Sequence, residues 1–431
     1  MINRLVTPFV TTLALLTVTA APRAQEKTEK PKTTEAVATA MVLKTADVEI
    51  GTAFLEQFDS DNELPNTNEK QHYVLTVTTD GKIQHKLAEG DVGWMHATIY
   101  PVALMKLFET EIEDNWEDIS GAAIIGLTQM SMTTQDAAKL MKAVKTFPNQ
   151  IESFAMSISA NPQNQLKGLK LSFSLEPTKD TWLGKLAKHL RPHPQGAPKL
   201  TAKNAMMRIG VAIDPEGLNT FLTPVVLTLA KFGAKNKKER EKNASLYIKV
   251  MNMQDGTYRS VGDPFGGVRR TIGGLLDTTG FAAILHSDQY QRLMKVTESI
   301  SPNIETEFEA EAFTHRDIKV AKTIVTTDID TPLAPAGDQI NYSAVAGDYL
   351  VTTSALSIED TKKLIDVAAD QKIKRSPLAK NALMVMNIKL LDLVDKIVPG
   401  NPLSTQEDPA KNLRIVVNNK NASLNVLLHF K

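Results

Sequence analysis

Cysteine is absent from the 431-residue chain. That excludes a disulfide framework, a thiolate zinc site, a cysteine nucleophile and a lipid-modified N-terminal cysteine. Net charge is absent as well, because 49 Lys+Arg balance 49 Asp+Glu. A bulk nucleic-acid binder needs a basic field, so nucleic acid is not an expected partner. Beyond the N-terminus no run reaches the roughly 18 apolar residues of a membrane-spanning helix. The longest, Phe221 to Ala230, is interrupted by Thr223, Pro224 and Thr228. Apolar residues at 42% and charged ones at 23% are ordinary for a globular chain, which excludes wholesale disorder and a collagen-like repeat.

What is present begins with an export signal. Arg4 supplies a positive start, Leu5 to Val18 is apolar, and Val18 and Ala20 stand in the −3/−1 relation of a signal-peptidase site. Cleavage after Ala24 is the alternative, with Pro22 a poor −3 residue. Residues 1–24 are therefore expected to be a signal peptide and 25–40 a disordered polar tether, rich in Lys, Glu and Thr. The lack of cysteine places the exported chain in a bacterial envelope, periplasmic or extracellular, with its stability coming from core burial. There Asn243-Ala-Ser and Asn421-Ala-Ser have no consequence as glycosylation motifs.

The remaining chain predicts an α+β fold, with long antiparallel sheets carrying helices on one face. It is built from recurring strand–helix–hairpin units. In the first unit, Ala123 to Met132 reads as a strand and Thr133 with Asp136 as a helix cap. Ala137, Leu140, Met141 and Val144 form the helical face. Phe154, Met156 and Ile158 then alternate, as do Leu169, Leu171, Phe173 and Leu175, so they predict a hairpin. The second unit has Met207 to Ile213 as strand and Asp214-Pro215 opening a helix that Pro224 should kink. Its hairpin pairs Ser245 to Met253 with Thr257 to Val261. The third has Phe281 to Leu285 as strand, Ser287 capping the next helix, and Glu305 to Phe313 paired with Ile318 to Thr327. The fourth runs from Ala382 to Leu390 through Leu391 to Val398, and then to the hairpin Leu413 to Phe430, turning at Asn418-Asn-Lys-Asn. The breaker-rich Arg191-Pro-His-Pro-Gln-Gly-Ala-Pro suggests a 191–200 linker between halves at 41–190 and 201–431.

Ala283-Ile-Leu-His, Tyr349-Leu-Val-Thr-Thr-Ser and Ile358-Glu-Asp-Thr-Lys-Lys-Leu together resemble large exported bacterial proteins of unknown function built from such units. The resemblance covers about the C-terminal half. It implies an envelope location and transfers no activity and no site residue.

Chemistry-bearing patterns are many and incomplete. His315-Arg-Asp-Ile-Lys319 matches a protein-kinase catalytic loop, but Lys322 stands where a metal-binding Asn should be. Met130/Met132, Met251/Met253 and Met384/Met386, beside Met206-Met207, could offer soft ligands to Cu(I). Their spacing equally puts both side chains of a pair on one strand face, where methionine fills core gaps, and core packing is the expectation. Asp59-Ser-Asp61-Asn-Glu63 opens like an EF-hand loop but has Leu64 and Lys70 where Gly and Glu belong. Glu307, Glu309 and Glu311 share one strand face, as a solvent-facing row would. His189 and His193 are separated by helix-breaking prolines, and Gly262-Asp-Pro-Phe-Gly-Gly267 lacks the lysine of a phosphate loop. Lys231 to Lys242 mixes six basic residues with Glu239 and Glu241 and reads as a solvated helix end.

No cofactor is called for. The expectation is a non-catalytic binding or structural protein of the envelope. Its partner would be an envelope component, a lipid-like ligand held between sheet and helices, or another protein. The alternative is a hydrolase assembled from distant segments, with His286, beside Ser287 and Asp288, as the first residue to suspect.

Overall fold

The structure, a computed structural model, describes residues 37–43, 71–80, 82–89, 95–129, 133–159, 167–199, 205–230, 234, 236–262, 269–300, 304–327, 337–379, 381–397 and 410–431. Strands β1 (Val37–Leu43), β2 (Gln71–Thr78), β3 (Ile83–Glu89) and β4 (Met95–Ile99) lead into helices α1 (Pro101–Leu107), α2 (Glu109–Gln129) and α3 (Thr134–Thr146). Then come β5 (Ile151–Ser159), β6 (Lys170–Pro177), α4 (Trp182–His189), β7 (Ala197–Lys199), β8 (Met207–Ala212), α5 (Pro215–Leu229) and α6 (Lys237–Asn252). The chain continues through β9 (Gln254–Gly262), β10 (Arg269–Leu275), α7 (Thr278–Leu285), α8 (Asp288–Ile300), β11 (Ile304–His315), β12 (Ile318–Thr327), β13 (Gly337–Ala346) and β14 (Tyr349–Ser354). It closes with α9 (Ile358–Ala369), β15 (Lys374–Ser376), β16 (Ala382–Lys389), α10 (Leu390–Ile397), β17 (Asn412–Lys420) and β18 (Ser423–Phe430).

Sixteen of the strands form one sheet, in the order β11-β12-β13-β14-β10-β9-β8-β16-β17-β18-β6-β5-β4-β1-β2-β3. Every neighbouring pair is antiparallel. The C-terminal hairpin β17–β18 lies between β16 and β6, so the end of the chain joins strands from both sides of the Pro-rich segment. That segment is tied in at several points. His193 donates its N–H to the Ala212 carbonyl, Pro192 bridges Ile213, and β7 pairs with β15 as a separate two-stranded sheet. The strand β1 covers Val37–Leu43 and so reaches into the segment read as a 25–40 tether.

The α+β class and the long antiparallel sheet follow from alternation. Partners directly opposite each other share a face, so the register sorts side chains across the whole sheet. One face carries Phe154, Met156 and Ile158 of β5 opposite Phe173 and Leu171 of β6, then Val426 and Leu428 of β18, Ile415 and Val417 of β17, and Met384 and Met386 of β16. Helix α4 packs on this face, where Leu183 and Leu186 meet Leu175 and Leu424. Further along, α7 and α8 cover it with Phe281, Ile284 and Leu285 against Ala321, Phe308, Val345 and Leu350. Each such fully buried side chain stabilises the fold by about 1.5–3 kcal/mol. A second layer joins the opposite face near β10 and β12–β14, where Leu364, Ile365 and Ala368 of α9 pack on Ile272, Val320, Ala344 and Val351.

Local signals place the helices. Thr133 accepts from the Asp136 N–H, Asn236 from Glu239 and Ser357 from Asp360, each closing an N-terminus that otherwise leaves orphan donors. Asp214 accepts from the Glu216 N–H, and Pro215 opens α5, which runs on through Pro224.

Three segments read as strands are helical. The described part of Ala123 to Met132 belongs to α2, where Ile124 and Leu127 recur at helical spacing and pack on Ala137 and Leu140 of α3. Met130 and Met132 lie outside the described residues. Ser245 to Asn252 completes α6, and the hairpin there is instead β9–β10. Phe281 to Leu285 is the second half of α7, capped by Asp277. Short apolar runs look alike in a buried strand and a buried helix, and only the upstream caps distinguish them. The C-terminal hairpin turns at Asn421-Ala422, both with positive φ, three residues beyond the start of the expected turn.

Candidate binding surface

At the centre of the sheet, from β6 through β18, β17 and β16 to β8, the described apolar side chains are less buried than those further out. On the apolar face, Leu171, Phe173, Val426, Leu428, Ile415, Val417, Met384, Met386 and Ile209 are all half-buried. Phe154 and Phe173 stack with ring centroids 6.2 Å apart. The equivalent positions one and two strands further out, Met156 and Ile158 of β5 and Met95 and Ala97 of β4, are fully buried. A contiguous apolar surface therefore begins where the buried core ends. It includes three of the methionines singled out above, Met207, Met384 and Met386, whose flexible thioether side chains adapt to irregular apolar shapes.

The opposite face of the same strands is polar. It presents Ser172 and Ser174 of β6, Asn425 and His429 of β18, Arg414 and Asn418 of β17, Asn387 of β16 and Arg208 of β8. A small apolar patch interrupts it, with Val385, Val416 and Leu427 under Leu378. There the two-stranded sheet β7–β15 lies over Gly210, whose missing Cβ leaves room for Leu378 and Ala197.

The two-stranded sheet is pinned to the main one by a buried ion pair. Arg375 of β15 contacts Asp255 of β9 and lies 5.8 Å over the Tyr349 ring. The Asp255 side chain is 5% exposed and that of Arg375 17%. His193 stands near this pair, and burial holds its imidazole below the usual range.

The other sequence-predicted residues disperse. His315-Arg-Asp-Ile-Lys is the β11–β12 hairpin turn, with positive φ at both Arg316 and Asp317. His315 Nε2 lies 2.8 Å from Asp366 Oδ1, and Arg316 reaches Asp366 and Asp370, so the segment clasps α9. Hydrogen bonding from His315 holds the Asp366 carboxyl below its usual range. His286 closes α7 and donates from Nδ1 to the Ala310 carbonyl at 2.5 Å, while Ser287 accepts from the Gln289 N–H. Both are thus engaged locally, with Asp288 exposed. Glu307, Glu309 and Glu311 are exposed on the edge strand β11, and Glu311 pairs with Lys319 at 2.7 Å.

His189 lies 3.9 Å from Glu216, while His193 Nδ1 accepts from the Gln195 N–H. Met251 ends in α6 and Met253 enters the core beside Phe281. Asp59 to Glu63 and 263–267 of the Gly-rich turn lie outside the described residues. The described part of Lys231 to Lys242 opens α6, where Arg240 bonds Asp136 at 2.9 Å. Among the described residues no group of three or more His, Asp or Glu is placed to hold a metal ion, and no helix is long and apolar enough to cross a membrane.

One pair escaped the sequence. His96 and Ser157 are direct cross-strand partners on β4 and β5, with Nδ1 2.7 Å from the serine Oγ and Nε2 3.1 Å from Thr98 Oγ1. Only the register brings them together. Burial holds the imidazole below its usual range, and a hydroxyl stands where a nucleophile–base pair would have its orienting carboxylate.

An α+β protein with one long antiparallel sheet, an apolar central face and a polar one behind it is the class this geometry defines. Compared with protein families, curated proteins and solved structures, the chain matches none.

Proposed function

We propose that this chain is an exported, non-catalytic binding protein of a bacterial envelope. The half-buried apolar face of β6, β18, β17, β16 and β8 is its ligand surface, and an apolar, lipid-like molecule is the ligand. One observation carries the reading: nine apolar side chains on five adjacent strands lie contiguous and neither buried nor fully exposed. Contiguous apolar surface of that kind marks a binding site more often than an accident of folding. The methionines among them favour a ligand of variable shape.

The test is a native mass spectrum of the protein isolated from its own envelope fraction, followed by thermal melts with a long-chain fatty acid as probe. An extra stoichiometric mass, and a rise in Tm with probe that disappears in Ile415→Asp and Leu428→Asp, is the expected result. If the added acyl chain leaves Tm unmoved and no extra mass is carried, the apolar face is not a ligand site.

A further inference from the structure

A second surface lies on the polar face, and register alone assembles it. Lys170 of β6 is paired with His429 of β18, His429 with Arg414 of β17, and Arg414 with Asn387 of β16. Asn387 is in turn paired with Arg208 of β8, Arg208 with Val261 of β9, and Val261 with Arg270 of β10. Directly opposed residues share a face, so these positions form one row straight across seven strands. With strands about 4.8 Å apart, Lys170, Arg414, Arg208 and Arg270 recur roughly every 10 Å, on every second strand. None of the seven positions is acidic.

Lys170 and Asn387 are exposed, while Arg208, Arg414 and His429 are half-buried. The charges that act on His429 are those of Lys431, Lys170 and Arg414, all positive, and together with burial they hold its imidazole below the usual range. The Nε atoms of Arg414 and Arg270 and the Oδ1 of Asn418 are buried without a hydrogen-bond partner. At the β10 end, Asp360 in the first turn of α9 feels the Arg270 charge and bounds the row.

We propose that this row binds a linear acidic polysaccharide laid across the strands, its carboxylates meeting Lys170, Arg414 and Arg208 and its hydroxyls meeting the flanking amides. Guanidinium groups grip carboxylates in forked pairs, which suits charges spaced along a chain. Ser172, Ser174, Asn387, Asn418 and Asn425 around the row supply the neutral donors and acceptors that sugar hydroxyls need. Single-stranded nucleic acid is disfavoured because no Phe, Tyr or Trp stands in the row between β6 and β10 to stack successive bases. A flat anionic membrane is disfavoured because the arginines are half-buried on a sheet whose strands twist.

The experiment titrates the full chain with fluorescently labelled polygalacturonate at low salt, with dextran as neutral control, and with polyadenylate and phosphatidylglycerol vesicles as competing classes. Expected are binding of polygalacturonate alone, weakening as salt rises, and a loss of roughly tenfold or more in Arg414→Gln and Arg208→Gln, with Arg414→Lys, which keeps the charge but loses the fork, falling between the parent and Arg414→Gln. Lys170→Gln, at an exposed position whose change should not disturb folding, carries the same expectation. The proposal is overturned if polygalacturonate does not bind. It also fails if correctly folded Lys170→Gln and Arg414→Gln bind as the parent does, or if polyadenylate or the vesicles bind more tightly through the same residues. The apolar-face reading rests on different side chains and stands or falls separately.

Discussion

Breaking the Asp255–Arg375 pair should cost different amounts depending on which partner is removed. Both groups are buried, the carboxylate more so, at 5% against 17% side-chain exposure. Removing one member of a buried pair typically costs about 3–5 kcal/mol, because the survivor is left charged in a poor solvent. In Asp255→Leu, Arg375 still lies over Tyr349 and has the longer side chain, so it can turn its head towards water. The shorter and more deeply buried Asp255 has no such freedom in Arg375→Met. Arg375→Met should therefore fall near ~5 kcal/mol and Asp255→Leu nearer ~3 kcal/mol, with the double variant closer to the parent than either single one. Urea unfolding followed by circular dichroism measures all three.

A cost below ~1 kcal/mol for Arg375→Met, or a double variant worse than both singles, would refute the reasoning.

A Cβ on Gly274 would overlap both carboxylate oxygens of Asp255, so Gly274→Ala should lose about 1–3 kcal/mol in the same urea assay. Ser357 caps α9 through the Asp360 N–H at 3.1 Å, and Ser357→Ala should cost about 1 kcal/mol, with Ser357→Asp restoring most of it. Asp366 and Asp370 are both held below the usual carboxylate range, by His315 and Lys372 first and by Arg316 next. Their contribution is full above the unfolded value near 3.9 and is lost as pH falls through the lowered folded values, which a Tm series in acid should show flattening in Arg316→Gln. Glu305, Glu307 and Glu309 stand exposed on the outermost strand, where charge discourages edge-to-edge pairing. Replacing all three by Val should shift the protein to associated species in size-exclusion chromatography.

Local patterns were legible where the local signal was sufficient. The alternations in β5–β6, β11–β12 and β17–β18 announce hairpins, and Thr133, Asp214 and Ser287 announce helix starts by their side-chain oxygens. Phe281 to Leu285 failed because Phe281, Ile284 and Leu285 are buried at helical spacing within a run too short to show its period. Strand order failed for a different reason. That β18 pairs with β6 and β8 with β16 is decided by non-local competition among strands of similar pattern, and no local residue encodes it. The same limit hid the candidate surfaces. Lys170, Arg208 and Arg414 are unremarkable in sequence and become a row only through four registers.

The two faces of the central strands make opposite physical demands, and alternation along the strand is what reconciles them. In β17, Arg414, Val416 and Asn418 face one way while Leu413, Ile415 and Val417 face the other, and Val416 apart none of them is buried as Ile272 and Val351 are beneath Ile365 and Ala368. A one-residue slip in β17 would put Arg414 among Phe173 and Leu428 and leave Ile415 beside His429, costing both surfaces at once. Register in the middle of the sheet is therefore held by the contrast between its faces. Any ligand that occupies either face adds to that contrast, so binding on one side should stiffen the strands that present the other.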